Sequence, residues 1–224
     1  MEHDRIAEFI QSFDPGNTEF LNDLEERAKR DDIPVIRPAA QNLLKLMLEL
    51  KHPGSILEVG AAIGFSAVLM AQYSDPATRI TTIEKYEKRL GPLKDNILAS
   101  GFKDRIRVLE GDALKILKEL SDEGASFDFI FMDAAKGQYL NFLPYVIKLL
   151  PAGGVLISDN VLQGGDIIES RFAVERRNRT IHSRMREYLY RLTNTEEFIT
   201  SIFPIADGMT VSIRRGNYSV SEAD

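Results

Sequence analysis

Residues 55–66 read SILEVGAAIGFS, and the fold can be worked out from this stretch outward. Ile56, Leu57 and Val59 form a short apolar run, as in a strand buried on both faces. Gly60 ends it, small residues continue to Gly64, and after Ser66 the pattern turns helical, with Val68, Leu69 and Ala71 against polar Gln72. Strand, glycine turn and helix make a nucleotide-binding arrangement. Glycine lets a ligand approach the backbone, and the helix N-terminus offers free N–H groups. A dinucleotide fingerprint starting at Gly60 needs glycine at 62 and 65, where this chain has Ala62 and Phe65. The spacing present is Glu58-x-Gly60-x-x-x-Gly64, which a plain tight βα turn would also carry.

Outward from this unit, strands and helices alternate. Strand candidates at 56–59, 80–83, 106–109, 129–132 and 155–158 are separated by helical stretches at 65–73, 86–99, 112–121 and 138–149. Gly91-Pro92 is expected to kink or delay the second helix. The rhythm predicts an α/β fold, a mostly parallel sheet with helices on both faces. Right-handed crossovers place the strand C-termini along one edge, where ligands of such folds sit. Each of the five ends carries a carboxylate: Glu58, Glu84, Glu110 with Asp112, Asp133, and Asp159 beside Asn160. Beyond Asn160 the rhythm stops. Residues 161–180 read as a loop rich in glycine and arginine, and 180–192 as a helix. Residues 198–204 and 209–214 then read as two strands joined by Ala206-Asp207-Gly208. Residues 1–32 read as polar helix, capped at Asn17 or Thr18 and packed on the main domain. Two prolines break 31–38, and 39–50 forms a second helix. The expected organisation is a helical lid at 1–52, a main domain at 53–215 with an insertion at 161–192, and a polar tail at 216–224.

Composition narrows the chemistry. The 224 residues are enough for a full core, and the 44% apolar and 28% charged fractions are those of a soluble globular protein. With no cysteine there is no disulfide, thiolate metal site or cysteine nucleophile, as suits a reducing cytosol. His3, His52 and His182 lie far apart, against a histidine-rich zinc site. No signal peptide or membrane-length apolar run is visible, so a cytoplasmic location away from membranes is expected. A net charge of −6 argues against a uniformly basic nucleic-acid binder.

The strand ends suggest two half-sites. Glu84, 24 residues beyond Gly60, can accept both hydroxyls of a ribose. Gly111-Asp112 can meet an adenine amino group, and Ser66 can bond a ligand carboxylate or simply cap its helix. Asp133, Asp159 and Asn160 bring two carboxylates and an amide to adjacent strand ends. That donor set suits a hard divalent cation, Mg²⁺ first, although Asp159-Asn160 could also merely turn the chain.

The set ExGxxxG, GDA, MDAxK and SDN, in this order, resembles the metal-dependent class I O-methyltransferases of the catechol and caffeoyl-CoA type, across roughly residues 30–215. The resemblance implies S-adenosyl-L-methionine (SAM) as cofactor and a Rossmann-like seven-stranded sheet whose last strand is reversed. It puts Asp133, Asp159 and Asn160 on the metal, Lys136 at the general base with Asp133 beside it, and Val35 on the lid. Ser66, Glu84 and Asp112, with Glu58, Gly60, Gly64, Gly111 and Asp133, fall on the cofactor side. A metal-bound acceptor hydroxyl would lose its proton to Lys136 and attack the sulfonium methyl. The substrate-recognition insertions of the plant enzymes are not evident.

Seven arginines lie between 171 and 191 against Glu175 and Glu187, a local charge of +5. Arginine on one rim of an acidic protein suits phosphate recognition, although a charge run is often only a solvated face. VIRPAAQ (35–41) and RFAVERRNRT (171–180) resemble the bacterial tRNA 5-hydroxyuridine methyltransferases, which act at the anticodon wobble position. This implies tRNA as partner, contacted by Arg37, Arg171, Arg176, Arg177 and Arg179. A small catechol-like or phenolic acceptor, and a SAM- or RNA-binding module without catalysis, stand as alternatives. A homodimer is expected because family members often pair.

Overall fold

The structure is a computed structural model and describes residues 2–216; apart from residue 216, the tail expected at 216–224 lies outside the described residues. Seven strands form one sheet: β1 (Ser55–Val59), β2 (Arg79–Glu84), β3 (Ile106–Glu110), β4 (Phe129–Met132), β5 (Val155–Ser158), β6 (Phe198–Phe203) and β7 (Met209–Arg214). Their order is β3-β2-β1-β4-β5-β7-β6. The first five are mutually parallel, and β7 runs antiparallel to both β5 and β6. The expected sheet, with a reversed last strand, is therefore the one observed. Connections from β1 go outward through β2 to β3 and then jump back to β4, so the strand order switches between β1 and β4. A crevice opens at such a switch, beyond the strand C-termini.

The helices are α1 (Glu2–Gln11), α2 (Glu19–Arg30), α3 (Pro38–Lys51), α4 (Phe65–Gln72), α5 (Glu87–Ala99), α6 (Ala113–Asp122), α7 (Tyr139–Leu149) and α8 (Arg179–Thr193). Strand side chains alternate between faces, so the sheet supports two cores. Phe129 and Phe131 of β4, with Ile56 of β1, meet α2, α3, α4 and α5. Ile130 and Met132, with Leu57 and Val59, meet α6, α7 and α8. Residues 65–71 of α4 are buried throughout, which explains why that helix has almost no polar face.

Several local expectations change. α5 runs unbroken through Gly91-Pro92. Proline there removes one intrahelical bond, but Leu93 and Ile97 bury their side chains against the core and keep the helix continuous. Thr18 stands at the N-cap of α2 without a side-chain cap bond. In the 161–180 segment, Gln163–Ile168 forms a short 3₁₀ helix, anchored by buried Ile167, with Val174 buried further on. The packing expected for residues 1–32 holds for α2, whose Leu21, Leu24 and Ala28 are buried. α1 and the turn after it instead leave Ile6, Phe9, Ile10 and Phe13 exposed. Among the described residues, no helix is long and apolar enough to cross a membrane.

The turn after β1 is the tightest point. Gly60 has φ +102, and a Cβ on it would lie 2.1 Å from the backbone oxygen of Asp133. Both the left-handed conformation and the contact with the β4 end therefore require glycine. Gly60→Ala should destabilise the fold by about 3 kcal/mol or more, since backbone strain and overpacking add. A urea midpoint within error of the parent would contradict this close approach.

Candidate active site

A cavity of about 800 Å³ opens at the switch point. Its walls come from the ends of β1 to β5, from the 34–37 segment before α3, and from the β6–β7 turn at Ala206 and Asp207. Gly60, Ser66, Glu84, Gly111, Asp112, Asp133, Lys136, Asp159 and Asn160 all line it, as do Val35 and Arg37. Glu58 and Gly64 do not.

Glu58 lies beneath the floor, fully buried, its carboxyl accepting a hydrogen bond from the hydroxyl of Thr82, its register partner on β2. Its second oxygen has no hydrogen-bond partner among the described residues. Burial, only partly offset by the nearby Ser66 and Thr82 hydroxyls, pushes its pKa up to about 7. Gly64, at φ +88, is the N-cap of α4, so Ser66 is not the cap; it lines the cavity floor, with its hydroxyl beside the Glu58 carboxyl.

The β2 and β3 ends form one wall. Glu84 accepts backbone N–H bonds from Ala62 (2.8 Å), Lys85 (2.9 Å) and Tyr86 (2.7 Å). Three amides thus fix the carboxylate and tie the β1 turn to the β2 end. A carboxylate has about four lone-pair sites, so acceptor capacity remains. Asp112 caps α6 through the Leu114 N–H (3.1 Å) and pairs with Lys85 Nζ at 2.8 Å. Hydrogen bonding to Lys85 lowers its pKa.

The β4 and β5 ends form the opposite corner. Asp133 Oδ1 accepts from Asn160 Nδ2 at 3.1 Å. Asn160 sits at φ +61, and its backbone N–H donates to Asp159 Oδ1 at 2.7 Å. Burial raises the pKa of Asp133, against the opposing effects of the Asn160 bond and the Lys136 charge. Asp159 is pushed up to about 7, first by burial and then by the charges of Asp133 and Asp207. Neither aspartate makes an ion pair among the described residues, and Lys136 acts on both only through its field. Among the described residues no three His, Cys, Asp or Glu side chains cluster as metal ligands; this donor set is two carboxylates and an amide.

Tyr139 holds this corner together. Its ring is fully buried, and its hydroxyl lies 3.1 Å from both the Met132 and Asp159 carbonyl oxygens while accepting from the Ala134 N–H at 3.3 Å. It thereby bridges the loops that carry Asp133 and Asp159. Tyr188 packs edge-on against it at 5.4 Å and bonds Ser158 at 2.6 Å.

The O-methyltransferase family model matches residues 11–215. The chain belongs to the O-methyltransferase family. It is 32% identical to a catechol O-methyltransferase of Mycobacterium tuberculosis over 139 residues, 61% of this chain and 62% of that protein. It is 29% identical to the caffeoyl-CoA O-methyltransferase of Eucalyptus gunnii over 224 residues, 96% of this chain and 89% of that one. Among solved structures, TomG of Streptomyces achromogenes in complex with SAM superposes with a TM-score of 0.83 at 24% identity, covering 96% of this chain and all of that one. The matches to catechol O-methyltransferases span about three fifths of those proteins.

For this family member, the arginines expected to meet RNA are mostly engaged elsewhere. Arg37 pairs with Asp207 at 3.1 Å across the cavity mouth. Arg177 pairs with Glu175, and Arg179 donates to the carbonyls of Val174 and Phe172. Arg171 and Arg176 are exposed and make no ion pair or hydrogen bond among the described residues. Asp207 and Tyr139 were not foreseen. Asp207 lies within a turn signal, and Tyr139 reads as one more apolar residue of α7.

Two outcomes follow. Tyr139→Phe should cost about 1–3 kcal/mol, because buried carbonyls lose their donor, and it should lower turnover by loosening Asp133 against Asp159. Loss of stability with unchanged turnover would restrict Tyr139 to packing. Glu58 keeps its proton in the folded state up to about pH 7 but loses it near 4.5 when unfolded. Its contribution is therefore full below pH 4.5 and lost as the pH rises to 7. In thermal melts, Glu58→Gln should flatten the fall in stability across that window; an unchanged slope would place the titration elsewhere.

Proposed function

We propose that this chain transfers a methyl group from SAM to an oxygen of an acceptor bearing two adjacent oxygens, with a divalent cation held by Asp133, Asp159 and Asn160. The observation that carries this reading is the Asp133–Asp159 corner, a partly buried and a buried carboxylate with raised pKa values and no ionic partner among the described residues, in the same cavity as the Glu84–Asp112 wall. The residues present fit a cation. Two aspartates balance a double charge, and the Asn160 amide, turned about its last bond, offers oxygen as a third donor. An all-oxygen set suits Mg²⁺. Such an ion would gather adjacent acceptor oxygens and acidify a hydroxyl.

The chain's own groups supply the rest. Glu84, Asp112 and Ser66 line the half of the cavity suited to a nucleoside with an amino-acid tail. Lys136, at the start of the 3₁₀ helix Lys136–Gln138, faces the same cavity as the metal corner and serves as the base that takes the hydroxyl proton. Phe65, Ile83 and Phe142 give the cavity apolar walls that restrict water. Holding donor and acceptor in line supplies much of the acceleration.

The curated relatives support a small phenolic acceptor with adjacent hydroxyls. The arginine surplus favours a second acceptor of the same chemistry, 5-hydroxyuridine in a tRNA anticodon loop, whose 5-OH stands beside O4. Labelled-methyl transfer to catechol and to 5-hydroxyuridine tRNA, each with Mg²⁺ and with chelator, separates the two. Chelator-sensitive labelling of either acceptor is expected; chelator-insensitive labelling would remove the cation from the reading. Lys136→Ala should lower turnover about a hundredfold with little change in SAM affinity. The opposite pattern would make Lys136 a cofactor contact. SAM, and not NAD, should raise the melting temperature.

A further inference from the structure

A second hollow, of about 580 Å³, lies apart from the main cavity, between the 3₁₀ helix Gln163–Ile168 and α8. Arg171 and Arg186 both line it. Arg186 is held by one guanidinium nitrogen on the Ile167 carbonyl at 2.9 Å, leaving the rest of its fork uncommitted among the described residues. Arg171 has neither an ion pair nor a hydrogen bond among them. Glu169 also lines the hollow and opposes an anion there, but it pairs with neither arginine among the described residues. His182, 3% exposed, donates through Nε2 to the Glu169 carbonyl at 3.1 Å, and its buried Nδ1 has no partner among the described residues. Two arginines thus border one recess against a single acid, Glu169, while Arg177, Arg179, Arg184 and Arg191 of the same segment are each engaged.

α8, which borders the recess, packs against the 3₁₀ helix that carries Lys136 of the main cavity. A Cβ on Gly137, the neighbour of Lys136, would lie 3.7 Å from Ile181 Cγ1, and Ile181 is followed along α8 by His182 of the hollow.

We infer that this hollow binds a phosphate ester carried by the acceptor. Guanidinium forks match phosphate oxygens in pairs, and single arginine contacts to a nucleic-acid backbone are additive and salt-sensitive. The inference rests on the main cavity being the methyl-transfer site. The same chemistry is offered by an RNA phosphodiester and by the phosphates of a coenzyme A thioester.

The test uses the full chain with Arg171→Glu, which reverses the charge, and Arg171→Lys, which keeps it. Binding of an unmodified anticodon stem-loop RNA is followed by fluorescence anisotropy with salt and with coenzyme A as competitor. Methyl transfer is compared between a 5-hydroxyuridine stem-loop and the free nucleoside. Arg171→Glu should weaken RNA binding at least tenfold, reduce its salt slope by about one, and lower the stem-loop to nucleoside ratio of kcat/KM by a similar factor. Arg171→Lys, which keeps the charge but loses the paired donors, should weaken binding less than Arg171→Glu does. RNA displaced only by other RNA assigns the hollow to the diester. Arg171-dependent coenzyme A binding without RNA binding assigns it to the thioester. RNA and coenzyme A affinities both indifferent to Arg171 would overturn the inference. Arg171-dependent RNA binding with no methylation of 5-hydroxyuridine would keep the hollow and reject that acceptor.

Discussion

The contact between Gly60 and the Asp133 backbone is the constraint on which the site depends. Parallel β1 and β4 are neighbours only because the chain crosses over at the switch point, and their C-terminal loops must leave the sheet side by side. The Asp133 N–H donates to the Val59 carbonyl, while Gly60 and Ala61 donate to Ile83 on β2. One turn is thereby stitched to two strands. The Glu84–Asp112 wall and the Asp133–Asp159 corner belong to different βα units, yet this approach sets their separation.

That arrangement buries charge. Glu58, Asp133 and Asp159 lie within the same end of the sheet, and in each case desolvation is the first cause of a raised pKa. A buried carboxylate without an ionic partner destabilises a fold, so its surroundings must compensate. For Glu58 compensation comes from hydroxyls. For Asp133 and Asp159 it comes from an amide, a backbone N–H and the distant Lys136, which is less than two ionised groups require. Tyr139 keeps the two loops together despite the repulsion. The stability given up here is consistent with a site organised for a bound cation rather than for the protein alone.

The strand ends were legible because buried parallel strands are written as apolar runs, so the first polar residue after each run marks the ligand edge. Glu84, Asp133 and Asp159 stood out for that reason. Tyr139 did not, because its ring satisfies the helical apolar pattern of α7 and its hydroxyl partners are backbone carbonyls from two other strands. Asp207 was hidden in turn chemistry, and its approach to Arg37 joins positions far apart in the chain. That the helix starts well before Pro92 and continues through it was not legible, because a local penalty is visible in sequence and the anchoring of Leu93 and Ile97 in the core is not.

The arginine segment shows how far a charge count carries. Counting +5 between 171 and 191 treats every guanidinium as available to a ligand. In the fold, Arg179 and Arg186 secure the 163–178 segment by donating to its carbonyls, and Arg184 bonds Asn141 of α7 at 2.6 Å. An irregular segment has few backbone bonds of its own, and arginine, with five donors, satisfies its carbonyls well. Part of the surplus is therefore structural, and only the positions with donors left over are free to meet a ligand. The arginines with donors left over are then local ones, Arg171 and Arg186, both bordering the hollow between the 3₁₀ helix Gln163–Ile168 and α8.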